Sequence, residues 1–302
     1  MGVRQWIREV EVILGSGGIG LSIKDLRVQF EVEKTVESAP NEAKIKIFNL
    51  TPEHEAQIKE EFDEVILNAG YKDNIGMIFR GNIQHVYRYR DKTDTITEIV
   101  ASDGDKDYRL ATVNTTFAAG STNLDIIDAA IDSFQGVGDT NRGTIAVPGK
   151  VYLRGKVVTS NSRAALDNVS KECGVNWSIQ NGELDMIGVD DFLPDVVVIN
   201  KETGMLGSPT VTDKGVEVRC LMNNLLKVNA RIELDRSTIN EKKGKKSSKG
   251  ASKKGQAGKR KSQPDGSERV DETGLYKILN LKHKGDNRAP EWVSTSVCLF
   301  LE

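Results

Sequence analysis

The chain has 302 residues, of which 28% are charged and 38% are hydrophobic, and its formal net charge is −2. This length predicts two or three domains, each with its own hydrophobic core. The sequence contains no run of about 18 apolar residues that would span a membrane, and its charged start lacks the apolar stretch of a signal peptide, so we expect a protein made in a cytoplasm.

The first hundred residues have the sequence pattern of antiparallel strands. Apolar and charged side chains alternate there, as they do in strands that bury one face. The strand segments are 4–34, 43–47, 64–69, 77–90 and 95–102. Thr51 followed by Pro52 predicts a short helix that ends near Phe62, because a hydroxyl side chain caps a helix start and proline suits the first helical position. We expect a β-barrel-like domain over residues 1–104.

The middle of the chain has helical spacing followed by a hairpin signal. Ser121 is the predicted N-cap of a helix that reaches Phe134. A second helix is predicted over 162–173, with Gly174 as a left-handed C-terminal cap. The dipeptide Asn181-Gly182 between two short apolar runs favours a type I′ hairpin turn. Residues 105–192 are therefore expected to form an inserted α+β domain.

Strand patterns return in the last third of the chain, at 196–199, 215–221, 226–234, 275–281 and 293–301. Gly285, Asp286 and Asn287 suit a tight turn before the last strand, and Trp292 is expected to anchor that strand against a core. Residues 193–302 thus predict a C-terminal β-barrel-like domain. The expected fold class is a β-rich α+β protein, in which small antiparallel β-barrel modules form a split β domain around the inserted α+β domain.

A lysine-rich segment interrupts the C-terminal strand patterns. Residues 240–270 have a local charge of +8, which leaves the rest of the chain near −10. The segment lacks large apolar residues, so residues 238–270 are predicted to form a disordered loop between two paired strands. It is either a solvated linker or a contact for nucleic-acid phosphates or an acidic protein. The candidate contact residues are Lys242, Lys243, Lys245, Lys246, Lys249, Lys253, Lys254, Lys259, Arg260 and Lys261.

No pattern in the sequence predicts a catalytic, metal or cofactor site. Residues 15–20 match the nucleotide-binding spacing G-x-G-x-x-G, but a strand pattern follows where that site needs a helix, so a hairpin tip is favoured. The three histidines, His54, His85 and His283, have no ligand-spaced neighbours and are interpreted as structural. The three cysteines, Cys173, Cys220 and Cys298, are far apart and are expected to be reduced, mostly buried thiols.

Two segments near the ends of the chain resemble phage tail proteins. Residues 30–50 combine a strand, the Pro40-Asn41 turn and a strand ending in Asn-Leu before a short helix, as in the opening of many tail and baseplate proteins. Residues 274–292 resemble the closing hairpin of the baseplate hub family related to late control D proteins of contractile tails. Residues 221–223 are similar to the segment that precedes it in the family, although Asn223-Asn224 stands where the family has Asn-Pro.

The resemblance implies a structural protein of the virion tail or baseplate and no enzyme. Family members of this kind are expected to form a homotrimeric ring that contacts the tail tube protein, the central spike protein and other baseplate proteins. DNA would pass through the ring during ejection without sequence-specific binding, and an acidic body would not hold its phosphates.

Three alternatives remain open at the level of sequence. The lysine-rich loop could tether a nucleic-acid-associated protein, which would predict salt-sensitive DNA binding. The chain could also be the hub of a tail-like bacterial secretion or contractile injection system, which the sequence does not separate from a phage tail. A tail-associated cell-wall hydrolase would need paired acids or a metal site in a cleft, and no carboxylate is marked for that role.

Overall fold

The computed structural model describes residues 5–16, 19–138, 140–213, 215–234 and 274–300, without the side chains of Ile19 and Phe300. The predicted lysine-rich loop over 238–270 lies outside the described residues.

Strands make up most of the described chain. The N-terminal part contains β1 (Arg8–Ser16), β2 (Ile19–Ile23), β3 (Val28–Thr35), β4 (Glu42–Phe48), α1 (Pro52–Glu60), β5 (Glu64–Tyr71), β6 (Asn74–Asp91) and β7 (Asp94–Ser102). The middle part contains α2 (Asp105–Leu110), β8 (Thr112–Phe117), α3 (Asn123–Gln135), β9 (Asn141–Ile145), β10 (Lys156–Asn161), α4 (Ser162–Cys173), β11 (Val175–Gln180) and β12 (Glu183–Gly188). The C-terminal part contains β13 (Val196–Ile199), β14 (Thr210–Thr212), β15 (Gly215–Leu221), β16 (Arg231–Leu234), β17 (Leu275–Asp286) and β18 (Trp292–Phe300).

A 13-stranded sheet joins the two ends of the chain. Its main order is β14-β15-β18-β17-β3-β4-β7-β6-β5-β1-β2, and β16 pairs with both β13 and β17. All pairs are antiparallel except β13 with β16. The predicted β-rich α+β character is therefore confirmed. Among the described strands no ladder links the two ends of this order, so the predicted closure into small barrels is not observed.

The middle part forms two small sheets beside this large one. Strand β8 pairs with β10, and β12 pairs with β11 and, in parallel, with β9. Helices α3 and α4 pack on each other and on these strands. No helix in the described ranges is long and apolar enough to cross a membrane.

Three main hydrophobic clusters stabilise these parts. One is enclosed by β1 to β7 and includes Phe30, Phe79 and Trp292. A second lies among the middle helices and strands and includes Phe134 and Trp177. The third lies among β13 to β18. Because each cluster removes large side chains from water, each contributes a separate hydrophobic stabilisation.

Short-range signals determine several element ends. Thr51 accepts a hydrogen bond from the backbone N–H of His54, which confirms the predicted cap of α1. The predicted α4 is also confirmed, and Gly174 ends it in the left-handed conformation at φ 67°. For α3 the predicted N-cap was wrong by one residue: Thr122 caps the helix, because Asp125 accepts its backbone N–H and completes a capping box.

Two C-terminal boundaries differ from the sequence-based expectation. The predicted strand over 226–234 begins only at Arg231, because Asn229 adopts φ 65° and the N–H of Ala230 bonds the carbonyl of Lys227 in a turn. The turn predicted at Gly285, Asp286 and Asn287 begins later than expected, although Asn287 lies in it and Asp286 accepts the backbone N–H of Arg288 at 2.9 Å. Strand β17 continues through Gly285 and Asp286, and the turn lies between Asp286 and β18.

Candidate functional site at the junction of the three cores

The tip of the β11–β12 hairpin docks into a polar socket on the large sheet. Asn181 and Gly182 form the tip and have φ of 56° and 80°, as a type I′ turn requires, which confirms the hairpin prediction. The carboxylate of Asp103, directly after β7, accepts the backbone N–H of both residues, with 3.0 Å to Gly182. Asp103 is fully buried, so these bonds are shielded from water.

Asn41 adds a second set of bonds to the same hairpin. Its side-chain amide donates to the carbonyl of Ile179 at 2.9 Å and to the Gln180 side chain at 3.2 Å. Its amide oxygen accepts the backbone N–H of Thr35 at 2.9 Å. Gln180 in turn donates to the carbonyl of Thr35 at 2.8 Å. The end of β3 and the hairpin are therefore linked by reciprocal side-chain bonds, which fix their relative position.

Lys34 brings a buried positive charge to the socket. It occupies the inward position of β3 after Val32 and donates to the side-chain oxygen of Asn181. Burial lowers the pKa of Lys34 to about 8, while the negative charge of Asp103 opposes this change. Burial also raises the pKa of Asp103 to about 7, against the influence of Lys34 and the two backbone N–H groups. Each charge thus needs the other, because neither is solvated by bulk water.

Lys277 makes a second connection between the middle part and the large sheet. This residue of β17 is 2% exposed. Its ammonium donates to the carbonyls of Gly188, Val189 and Asp191 at 2.8, 3.0 and 2.6 Å, which uses all three of its protons. Lys277 therefore holds the segment that leaves β12 against the C-terminal strands.

An arginine pair connects the N-terminal strands to the β17–β18 turn. Arg27 forms an ion pair with Asp286 at 2.8 Å, and Arg8 donates to the carbonyl of Pro290 at 3.0 Å and lies over the Trp292 ring at 5.6 Å. Burial acts to raise the pKa of Asp286, but bonds from Arg27 and from the backbone N–H of Arg288 outweigh it and lower the pKa. These contacts fix the turn on the sheet.

The aromatic and thiol predictions are confirmed where the structure describes them. Trp292 is buried and meets Phe30 edge-on, with ring centroids 5.4 Å apart. The three cysteines are free thiols; Cys220 and Cys298 are buried, and burial raises the pKa of each to about 12, so they are poor nucleophiles.

His283 is more buried than its sequence context indicated. It is 1% exposed, and its Nδ1 atom lies 2.8 Å from the hydroxyl of Ser294. Burial, with a smaller effect of the Lys34 charge, lowers the pKa of His283 to about 3, so the ring is neutral near pH 7. In the described part of the chain, no group of three or more His, Cys, Asp or Glu side chains is placed to hold a metal ion.

The ten basic candidate residues between Lys242 and Lys261 lie outside the described residues, so their predicted contacts stay a prediction. The described chain fixes the point where that segment leaves and returns, because the N–H of Leu234 bonds the carbonyl of Gly274 at 2.8 Å. Among the junction residues, Asn41 and Asn181-Gly182 were predicted as turns, whereas Lys34, Asp103 and Lys277 were not singled out from the sequence. The sequence does contain a signal that could have identified buried polar side chains, because Lys34, Asp103 and His283 stand at positions where the strand alternation requires burial.

The sequence and the fold can both be compared with known proteins. The sequence pattern of the family baseplate hub gp41 matches residues 7–245. No characterised protein matches the chain by sequence alone.

Several solved structures share the fold. A 43 kDa tail protein of prophage MuSo2 from Shewanella oneidensis superposes with a TM-score of 0.59 and 9% identity, over 96% of both chains. A tail protein from Neisseria meningitidis gives a TM-score of 0.59 and 7% identity, over 97% of this chain and 96% of that one. A component of the Escherichia coli type VI secretion system, itself similar to T4 phage tail proteins gp27 and gp5, gives 0.55 and 10%, over 90% and 73%.

Proposed function

The chain belongs to the baseplate hub gp41 family, and from this premise we propose that three copies form a ring that joins the tail tube to the central spike of a phage tail. DNA passes through this ring during ejection. The observation that carries the proposal is the family match over residues 7–245, together with a fold shared with tail proteins along nearly the full length of both chains.

The junction contacts support a role that depends on fixed shape. A ring subunit has to hold its parts in one orientation so that equivalent surfaces meet in every copy. Asp103, Asn41 and Lys277 bind the middle part to the large sheet through buried bonds, and buried polar networks that are fully paired favour a single arrangement. In this role the chain acts through contacts and not through catalysis.

The charge distribution supports the passage of DNA. Outside residues 240–270 the chain has a formal charge of −10. A surface of this sign repels phosphates, so a duplex in the channel would move past without being held. The basic segment is then best placed away from the channel, where its ten candidate basic residues between Lys242 and Lys261 contact an acidic neighbouring protein.

The three hydrophobic clusters support a division into three domains. We assign residues 1–104 and 193–302 to the two halves of a split β domain and residues 105–192 to an inserted α+β domain. The β3–β17 pair joins the two halves of this split β domain within the large sheet. The tail tube protein, the spike protein and other baseplate proteins are the partners, and the finished particle is a virion.

A hub in a contractile injection system is the second candidate. It is favoured by the likeness to a type VI secretion component at a TM-score of 0.55. Both candidates require the same ring, so they differ in what passes through it and not in the subunit contacts.

Electron microscopy of the purified full chain tests the proposal. Particles with threefold symmetry and an open centre are expected. The same preparation is titrated with duplex DNA at two salt concentrations, using the full chain and a variant that lacks residues 241–263. Tight DNA binding that weakens steeply with salt and is lost in the deletion variant would instead favour the nucleic-acid tether.

A further inference from the structure

A cavity lies between the large sheet and the β11–β12 hairpin. Its volume is about 340 Å³, within the range of ligand pockets in proteins. Its wall also includes residues from two segments of the C-terminal part, 193–195 and 224–228. The apolar part of the wall consists of Met77, Ile78, Leu193, Leu226 and Val228.

Some charged groups of the wall have a close partner of opposite charge, and others do not. Lys34 donates to Asn181 and is balanced by Asp103, which lies behind the wall. Lys227 lies 4.0 Å from Asp195, and both side chains are about 60% exposed, so this pair is weak. Glu183 and Asp185 add two further carboxylates. The wall therefore has an excess of negative charge.

Among the described residues neither Glu183 nor Asp185 has an ion-pair partner, and Asp185 is the buried one of the two. It is 8% exposed and, among the described residues, its one hydrogen bond comes from the backbone N–H of Thr144 at 2.7 Å. Burial and the nearby charge of Glu183 raise the pKa of Asp185 to about 6, although the Thr144 bond and the charge of Lys227 act in the opposite direction. A buried carboxylate with spare acceptor capacity is costly unless a donor approaches it.

Asn224 also lines this wall. Its side-chain oxygen is buried and has no hydrogen-bond partner in the described part of the chain. The amide nitrogen of this side chain packs against Gly76, where an added Cβ would come within 2.0 Å of it. The lack of a side chain at position 76 therefore lets Asn224 lie against β6.

We propose that this cavity binds a lysine side chain presented by a partner protein. An ammonium group has three protons and no acceptor, so it supplies the donor that Asp185 lacks on the cavity side. The apolar wall suits the four methylene groups of the lysine stem. Lys34 is balanced by Asp103 and Lys227 pairs weakly with Asp195, so Asp185 is the buried carboxylate that is left for the incoming ammonium. The inference does not depend on the number of subunits in a ring.

Nuclear magnetic resonance of the full chain tests this site. The probes are n-butylammonium chloride, which reproduces the lysine side chain, and the peptide acetyl-Gly-Lys-Gly-amide, with its glutamine analogue as the neutral control. The backbone amide signal of Thr144 reports on the cavity because this group bonds Asp185. Both cationic probes are expected to shift that signal, and the glutamine peptide is not.

Two variants and one control make the test specific. Asp185→Asn keeps the shape and an acceptor for Thr144 but removes the charge, and Asp185→Ala removes both carboxylate oxygens. Each is expected to weaken probe binding about tenfold or more, since a charge-assisted bond is lost. Glu202→Gln, on an exposed turn, is expected to bind as the unchanged chain does.

Three results would overturn the proposal. One is equal binding by the unchanged chain and by both variants. Another is binding of the glutamine peptide as tightly as the lysine peptide. The third result comes from a full-length variant in which glutamine replaces the ten basic residues between Lys242 and Lys261. If the probes bound this variant but not the unchanged chain, the cavity would be occupied by the chain's own lysines and not by a partner's.

Discussion

The carboxylate of Asp103 accepts the backbone N–H of Asn181, although the two residues are 78 positions apart. This contact places the tip of the β11–β12 hairpin in the socket formed by Lys34, Asn41 and Asp103. It connects the large sheet to the middle part of the molecule at a point where both are buried.

Replacement of Asp103 by alanine is expected to destabilise the protein by about 3 to 5 kcal/mol, because it leaves Lys34 as an uncompensated buried charge and removes the acceptor for two N–H groups. Urea unfolding at pH 8 measures the effect. Asp132→Ala, at an exposed position of α3, is the control and is expected to change stability by about 0.5 kcal/mol or less. A loss below about 1 kcal/mol for Asp103→Ala would contradict this account of the socket.

Lys277→Met is expected to cost about 2 to 3 kcal/mol, since the carbonyls of Gly188, Val189 and Asp191 lose a shared donor whose own side chain is buried. Lys282→Met on the same strand is the matched control. Lys282 forms ion pairs at the surface and is 38% exposed, so its loss is expected to cost about 1 kcal/mol or less. Equal effects of the two substitutions, measured by urea unfolding, would show that Lys277 does not hold the segment after β12.

Gly285→Ala tests the close packing under the last hairpin. A Cβ at this position would lie 2.5 Å from the Phe30 ring and 2.7 Å from the Trp292 ring. Two buried rings would have to move apart, so we expect a loss of about 1 to 3 kcal/mol in thermal or urea unfolding. Gly149→Ala, where nothing lies within 4 Å, provides the control. If both variants were as stable as the unchanged chain, the tight contact would be wrong.

His283 is expected to stay neutral well below pH 6. Its pKa in the folded protein, about 3, is lower than the value of about 6.5 in an unfolded chain. The stabilisation from a neutral ring is therefore fully present above pH 6.5 and is lost as the pH falls toward 3. A nuclear magnetic resonance titration of the ring checks this directly. Protonation of His283 with a midpoint above pH 5 in the folded protein would contradict the burial described here.

Local features of the fold could be predicted from the sequence. Thr51-Pro52, Gly174 and Asn181-Gly182 act through backbone geometry within a few residues, so their effects on α1, α4 and the β11–β12 hairpin follow from neighbouring residues alone. The predicted start of the strand over 226–234 was wrong because of another local backbone effect. Asn229 tolerates a left-handed backbone, and the apolar alternation around it did not reveal that it adopts one.

The junction could not be predicted because its partners are distant in sequence. Lys34 meets Asn181 over 147 positions, and Lys277 meets Gly188 over 89. Strand alternation marks Lys34 as buried, but only the fold shows which group compensates its charge. The sequence pattern also could not predict whether the sheet closes into barrels. Alternation specifies which face of a strand is buried, but not which strands form the edges of a sheet.

The mass of the purified full chain, measured by light scattering through a concentration series, tests the central claim most directly. A ring-forming hub predicts a species of three times the chain mass of 33.2 kDa that persists on dilution. A single species of 33.2 kDa at every concentration would contradict the homotrimeric ring.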